Sequence, residues 1–145
     1  MINVRDILQE KGREIWRVSP QTSVFDALKL MADRNIGALL VLEGEKLAGI
    51  FSERDYARKV ILKGKASKDT AVSEIMTAVV VTVRPSQTVE ECMELMTANR
   101  IRHLPVLDGD ELAGVISIGD VVKAIISDRE FTIKQLENYI TGGPQ

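Results

Sequence analysis

Leu47-Ala-Gly-Ile-Phe-Ser-Glu-Arg-Asp55 and Leu112-Ala-Gly-Val-Ile-Ser-Ile-Gly-Asp120 are one passage written twice, 65 residues apart. Each is a short apolar run, as in a buried strand, that ends in Ser-x-x-Asp, a helix-opening signal. Outward from this passage the match continues without a gap, residues 18–61 returning at 83–126. Val18-Ser-Pro20 returns as Val83-Arg-Pro85, Leu30-Met31 as Leu95-Met96, and Gly44-x-x-Leu47 as Gly109-x-x-Leu112. An ungapped match of this length means one folding unit used twice, so a site in one copy has a counterpart in the other.

Each copy reads β-α-β-β-α. A β run (15–18; 79–83) stops two residues before a proline. A helix follows, with apolar residues at helical spacing: Val24, Ala27, Leu28, Met31 in one copy and Val89, Cys92, Met93, Met96 in the other. Ser23-x-x-Asp26 and Thr88-x-x-Glu91 stand where capping boxes open helices. Two strands come next (38–42 and 46–51; 103–107 and 111–116), joined by Glu43-Gly44-Glu45 or Asp108-Gly109-Asp110, both with hairpin-turn chemistry. A second helix then starts at Ser52 or Ser117. Outside the repeat, residues 4–11 predict a short leading helix, with a counterpart at 72–76. Residues 63–69 read as a polar linker. Residues 128–141 read as an added helix with Phe131, Ile133, Leu136 and Ile140 as its apolar positions, and 142–145 as a frayed tail. The expected division is 1–66, 67–127 and 128–145.

Composition narrows the class. A half of about 60 residues buries too little surface to be stable alone, so the halves are expected to pack together. The 45% hydrophobic and 28% charged fractions are those of a soluble globular protein, and a net charge of −2 gives no argument for nucleic acid. No apolar run approaches the ~20 residues of a membrane span, and no signal peptide opens the sequence. One cysteine excludes an intrachain disulfide, and with one histidine a metal site is not expected. There is neither a phosphate-binding Gly-x-x-x-x-Gly-Lys-Ser/Thr loop nor a Gly-x-Ser-x-Gly elbow. The expectation is a cytoplasmic protein that is not an enzyme and has no catalytic cofactor.

The residues that can carry chemistry lie where the copies agree and where they differ. Ser52-Glu-Arg-Asp55 and Ser117-Ile-Gly-Asp120 are capping boxes in the plainer reading. They also open helices at the carboxyl end of a buried strand, where ligands of α/β units collect and unpaired amides suit a phosphate. A serine hydroxyl can bond phosphate, and a carboxylate one turn on can accept from both hydroxyls of a ribose. Arg54 and Arg58 in the first copy face Gly119 and Lys123 in the second, so the first site should hold the more anionic ligand end; the alternative is a solvated helix face. His103, in the stretch Arg102-His103-Leu104-Pro105, stands where the first copy has Ala38, and Thr82 stands opposite Arg17. Pro105 lacks an amide donor and therefore belongs at a strand edge or beside a pocket.

These residues resemble the CBS (cystathionine β-synthase) domain, and the chain resembles a stand-alone tandem pair. The resemblance rests on residues 36–41 and 101–106, on the opening passages, and on the lead-ins at 4–8 and 72–77; it covers about residues 2–127. It implies an α/β (α+β) fold of two β-α-β-β-α repeats packed as a pseudo-twofold module, here with an extra C-terminal helix. It also implies clefts for an adenosine-containing small molecule, pairing into homodimers, and regulation of an effector protein whose identity is open. By resemblance, Asp55 and Asp120 hold ribose and Ser52 and Ser117 contact phosphate. The backbone at Ala38, Leu39 and Leu40, or at His103, Leu104 and Pro105, lines the base pocket near Arg17 or Thr82. The expected function is a sensor of AMP, ADP, ATP or NAD. The alternative is a structural or protein-interaction module whose clefts are vestigial.

Overall fold

The computed structural model describes residues 2–141, and the chain forms two compact units that do not follow chain order. One comprises Glu14–Val81 with Asp110–Leu112; the other takes in the lead helix, Thr82–Gly109 and the chain from Ala113 onward. The segments 1–66 and 67–127 describe the sequence repeat, whereas the units cross it.

In the Glu14–Val81 unit, β1 (Arg17–Val18) lies parallel to β2 (Ala38–Glu43), which pairs antiparallel with β3 (Lys46–Ser52). The β2–β3 turn uses Gly44 at φ 66°, a left-handed conformation that costs glycine little. Helix α2 (Val24–Arg34) starts at Ser23, whose hydroxyl accepts from the Asp26 amide, and ends at Asn35 in the left-handed region. Its inward face, Val24, Ala27 and Met31, packs with Leu39, Val41 and Phe51 from the sheet, and with Val60, Val72 and Ile75. Trp16 packs against this cluster, and the Arg34 guanidinium lies 4.3 Å over its ring. After β3 the chain makes one helical turn, α3 (Glu53–Tyr56), widens into a π turn (Ala57–Ile61), and turns again at Gly64. The linker contains a 3₁₀ turn, Ser67–Asp69.

The second lead-in, α4 (Val72–Ile75), closes this unit. Val24 N–H donates to Thr70 C=O and Val72 N–H to Thr22 C=O, both at 2.8 Å, and Thr77 exchanges two backbone bonds with Ile50 on β3. The first lead-in, α1 (Val4–Lys11), does the same for the other copy: Val4 N–H donates to Gln87 C=O and Val89 N–H to Ile2 C=O. Thus the lead helices are exchanged, each docking on the repeat that it does not precede.

In the second unit, α5 (Val89–Asn99) opens on a Thr88–Glu91 capping box and buries Val89, Cys92 and Met96. Strands β4 (His103–Asp108) and β5 (Glu111–Ser117) form a two-stranded sheet. The expected strand at 79–83 is reduced to a single parallel bridge, Val83 to Val106. The cause is Pro105. In the first copy Leu40 N–H donates to Trp16 C=O; the equivalent donor would be residue 105, and proline has no N–H. Pro105 is itself buried, and its carbonyl accepts from Val83.

The last difference concerns the end of the chain. The second helix of copy two and the added helix are one continuous element, α6 (Ile118–Thr141). Residues 118–141 contain no proline and only Gly119, near the start, so nothing stops the helix at Ser127-Asp128. The frayed tail expected at 142–145 lies outside the described residues.

Candidate functional site

Both Ser-x-x-Asp passages fold as strand-to-helix corners. Ala38 pairs with Ser52 across β2 and β3, and Glu53 N–H donates to Gly37 C=O at 3.2 Å, pinning the start of α3 to the entry of β2. In copy two, Ile118 N–H donates to Arg102 C=O at 2.8 Å, which places the start of α6 beside His103 in the same way.

Within each corner the serine and aspartate close on one another. Asp55 Oδ2 accepts from the Ser52 amide (3.0 Å) and hydroxyl (3.1 Å), while Ser52 Oγ accepts from the Asp55 amide (3.2 Å). Asp120 Oδ2 accepts from the Ser117 amide at 2.8 Å, and Ser117 Oγ accepts from the Asp120 amide at 3.2 Å. The capping geometry is therefore real in both copies, and a cap of this kind contributes ~1 kcal/mol.

What distinguishes these corners from ordinary caps is a lysine at each carboxylate. Asp55 is only 8% exposed; its Oδ1 accepts from Thr77 Oγ1 at 3.3 Å and lies 3.3 Å from Lys59 Nζ, which also donates to Ile75 C=O. Asp120 Oδ2 lies 2.7 Å from Lys11 Nζ, which donates to Val115 C=O as well. Partial burial opposes ionisation of Asp120. The Lys11 hydrogen bond, the Ser117 amide, the Lys11 charge and the Ser117 side chain outweigh it, holding the carboxyl below its ordinary value.

The two lysines come from different places. Lys59 is on the π turn of its own copy, where the counterpart is Ala124; Lys11 ends the exchanged lead helix, where the counterpart is Val79. Lys59 was legible in outline, since Asp55 and Lys59 stand at i,i+4 spacing. Lys11 and Thr77 had no local signal, because each arrives from a lead-in far along the chain.

The other sequence-derived candidates divide. Ala38 and His103 are half-buried at the entries of β2 and β4, next to their corners. Leu39, Leu40, Leu104 and Pro105 are buried and can offer a ligand only backbone. Arg54, Arg58 and Gly119 are exposed on the first turns after their corners, and Arg102 is exposed just before β4. Arg17 pairs with Leu40, but its guanidinium faces Glu45 at the hairpin turn, 3.8 Å away and at the opposite end of β2–β3 from Ser52. Thr82 is half-buried immediately before Val83. Among the described residues, no group of three or more His, Cys, Asp or Glu side chains could hold a metal, and no helix is long and apolar enough to cross a membrane.

Tandem β-α-β-β-α repeats with a serine–aspartate corner after the third strand define a class, and the CBS domain model matches residues 4–62 and 72–127. The chain belongs to the CBS domain family. It is 57% identical to a putative signal-transduction protein with CBS domains from Burkholderia ambifaria, at a TM-score of 0.85 covering 87% of this chain and 95% of that one. It is 42% identical to the mitochondrial CBS domain-containing protein CBSX3 of Arabidopsis thaliana, over 97% of this chain and 72% of that protein. The CBS domain pair of protein MJ0100, solved in complex with 5′-methylthioadenosine and S-adenosyl-L-methionine, is 25% identical at a TM-score of 0.78, covering 88% of this chain and 98% of that one.

Proposed function

We propose that this chain is a regulatory module that binds an adenine nucleotide, AMP-like or NAD, and catalyses nothing itself. It acts as a homodimer on an effector protein in trans, in the cytoplasm. The observation that carries this reading is the recurrence, at the same strand end in both copies, of a serine, an aspartate and a lysine around a helix start. Such a corner offers amides and a cation to phosphate and a carboxylate to ribose. The MJ0100 pair supports it, as a relative of the same fold that holds two adenosine-containing ligands. We place the base against the backbone at Ala38–Leu40 or His103–Pro105, and the more anionic end by Arg54 and Arg58.

Binding requires an exchange of partners. Ribose takes the place of Lys59 and Thr77 on Asp55, or of Lys11 on Asp120, and the released ammonium turns to phosphate. A ligand shifts a conformational equilibrium only by its difference in affinity for the two states, so this exchange is where the regulatory signal arises.

One observation favours a second reading, a protein-interaction module with vestigial sites: both serine–aspartate pairs are already satisfied as caps. Titration calorimetry with AMP and NAD separates the two. A ligand at 100 times its Kd adds ~2.7 kcal/mol of stability, easily read in a melt. Asp55→Asn and Asp120→Asn, which keep the side-chain shape, should each remove one binding event while melting remains cooperative. Unchanged heats in both variants overturn the site; no binding of any adenine compound by the natural chain establishes the second reading.

A further inference from the structure

Helix α6 leaves the body of its unit half-way along its length. Val121 is buried against the core, but from Arg129 onward nearly every described side chain is exposed. An unsupported helix of this length is marginal in water. Yet one side of it carries Val122, Ile126, Ile133, Leu136 and Ile140, between 41% and 79% exposed. With Arg129 included, the spacing alternates four and three residues, the seam of a coiled coil. Near the start of α6, Ile118, Val122 and Ile126 also line an open groove of about 420 Å³.

We infer that this seam is an interface for α6 of a second copy of the chain, paired antiparallel. The stripe is self-complementary in that direction: Val122 meets Ile140 of the second copy, Ile126 meets Leu136, and Arg129 meets Ile133. The paired length is about 27 Å, and the second copy's Ile140 seats in the groove beside Val122. Charge selects the direction. Antiparallel pairing brings Lys123 to Glu137 of the second copy, twice by symmetry. Parallel pairing would set Arg129 on Arg129, a buried like-charge contact. The antiparallel arrangement has its costs: Glu130 approaches its own copy near the axis, flanked by both Arg129 side chains, Arg129 packs against Ile133, and Glu137 exchanges its partner within the chain for Lys123. Among the described residues Lys123 pairs with Glu10 at 4.0 Å, with both side chains more than three-quarters exposed, so the pair is easily given up.

Sedimentation velocity on the whole chain tests this. The natural protein should be a dimer at micromolar concentration. Ile133→Glu with Leu136→Glu, both on exposed positions that leave the core intact, should weaken self-association by about 100-fold or more. Phe131→Glu, 64% exposed on the side of α6 away from the seam, should leave it unchanged. Lys123→Glu should weaken the dimer, and adding Glu137→Lys should restore it. For direction, Glu130→Cys should bridge two chains with a short bismaleimide, while Ile140→Cys should not; buried Cys92 gives no background. A monomeric natural chain, including one that instead binds lipid vesicles through α6, overturns the inference. So does a seam variant that stays dimeric, or bridging by Ile140→Cys in place of Glu130→Cys.

Discussion

Asp120 and Asp55 hold the same place in their copies and live in different surroundings. Asp55 is closed in by Thr77 and Lys59, while Asp120 keeps a partly exposed carboxyl whose strongest partner is Lys11. Because folding lowers the Asp120 pKa, the carboxylate stabilises the native state above the unfolded value of ~3.9. That contribution is lost as pH falls through the folded value. Asp120→Asn should therefore lower the melting temperature at neutral pH and flatten its fall on the acid side, as followed by circular dichroism; an unaltered acid limb would show the Lys11 contact to be inconsequential. Cys92 is the opposite case: burial first, then Glu91 and Glu90, pushes its thiol up to about 11, which suits an inert core residue.

At the level of elements, glycines at equivalent places meet unequal neighbours. A Cβ on Gly49 would lie 2.8 Å from the Thr77 carbonyl oxygen and 2.7 Å from Met76 Sδ; one on Gly114 would meet only the flexible end of Leu8. Gly49→Ala should cost about 1–3 kcal/mol in chemical denaturation and Gly114→Ala less, because a side chain yields where backbone cannot. Equal costs would mean that the Thr77 bridge to β3 gives way. The helices and hairpins were readable because their signals are local: caps at Ser23 and Thr88, and left-handed glycines at 44 and 109. The loss of the strand at 79–83 was written in Pro105, but only once its register against Val83 was known. The continuity of α6 was hidden because residues 128–141 read as a helix of their own, added after the repeat. In the structure Ser127-Asp128 sits inside the helix, with Thr132 Oγ1 donating to Asp128 C=O.

For the molecule as a whole, the repeat announced two similar corners but not which lead helix serves which. No periodicity encodes that choice; it depends on contacts between residues more than eighty positions apart, such as Val4 with Gln87. The exchange makes a sharp prediction. Leu8 is 1% exposed, and Leu8→Ala should destabilise by about 2–5 kcal/mol. Amide hydrogen exchange should then rise in α5 and the start of α6, not in α2, although α2 is far closer in sequence. Faster exchange in α2 instead would place α1 on its own repeat.

The exchanged lead helices also set an order of events on the ribosome. Almost all of the Glu14–Val81 unit is continuous in the chain, so its sheet and α2 can form as soon as α4 emerges. Helix α1 is made before the rest of its unit and docks among the last, since Pro85, Gln87 and Val115 do not yet exist when it leaves the tunnel. Until then Val4, Ile7 and Leu8 stand uncovered, an apolar face on the nascent chain that chaperones or a neighbouring chain can reach before Asp120 draws in Lys11.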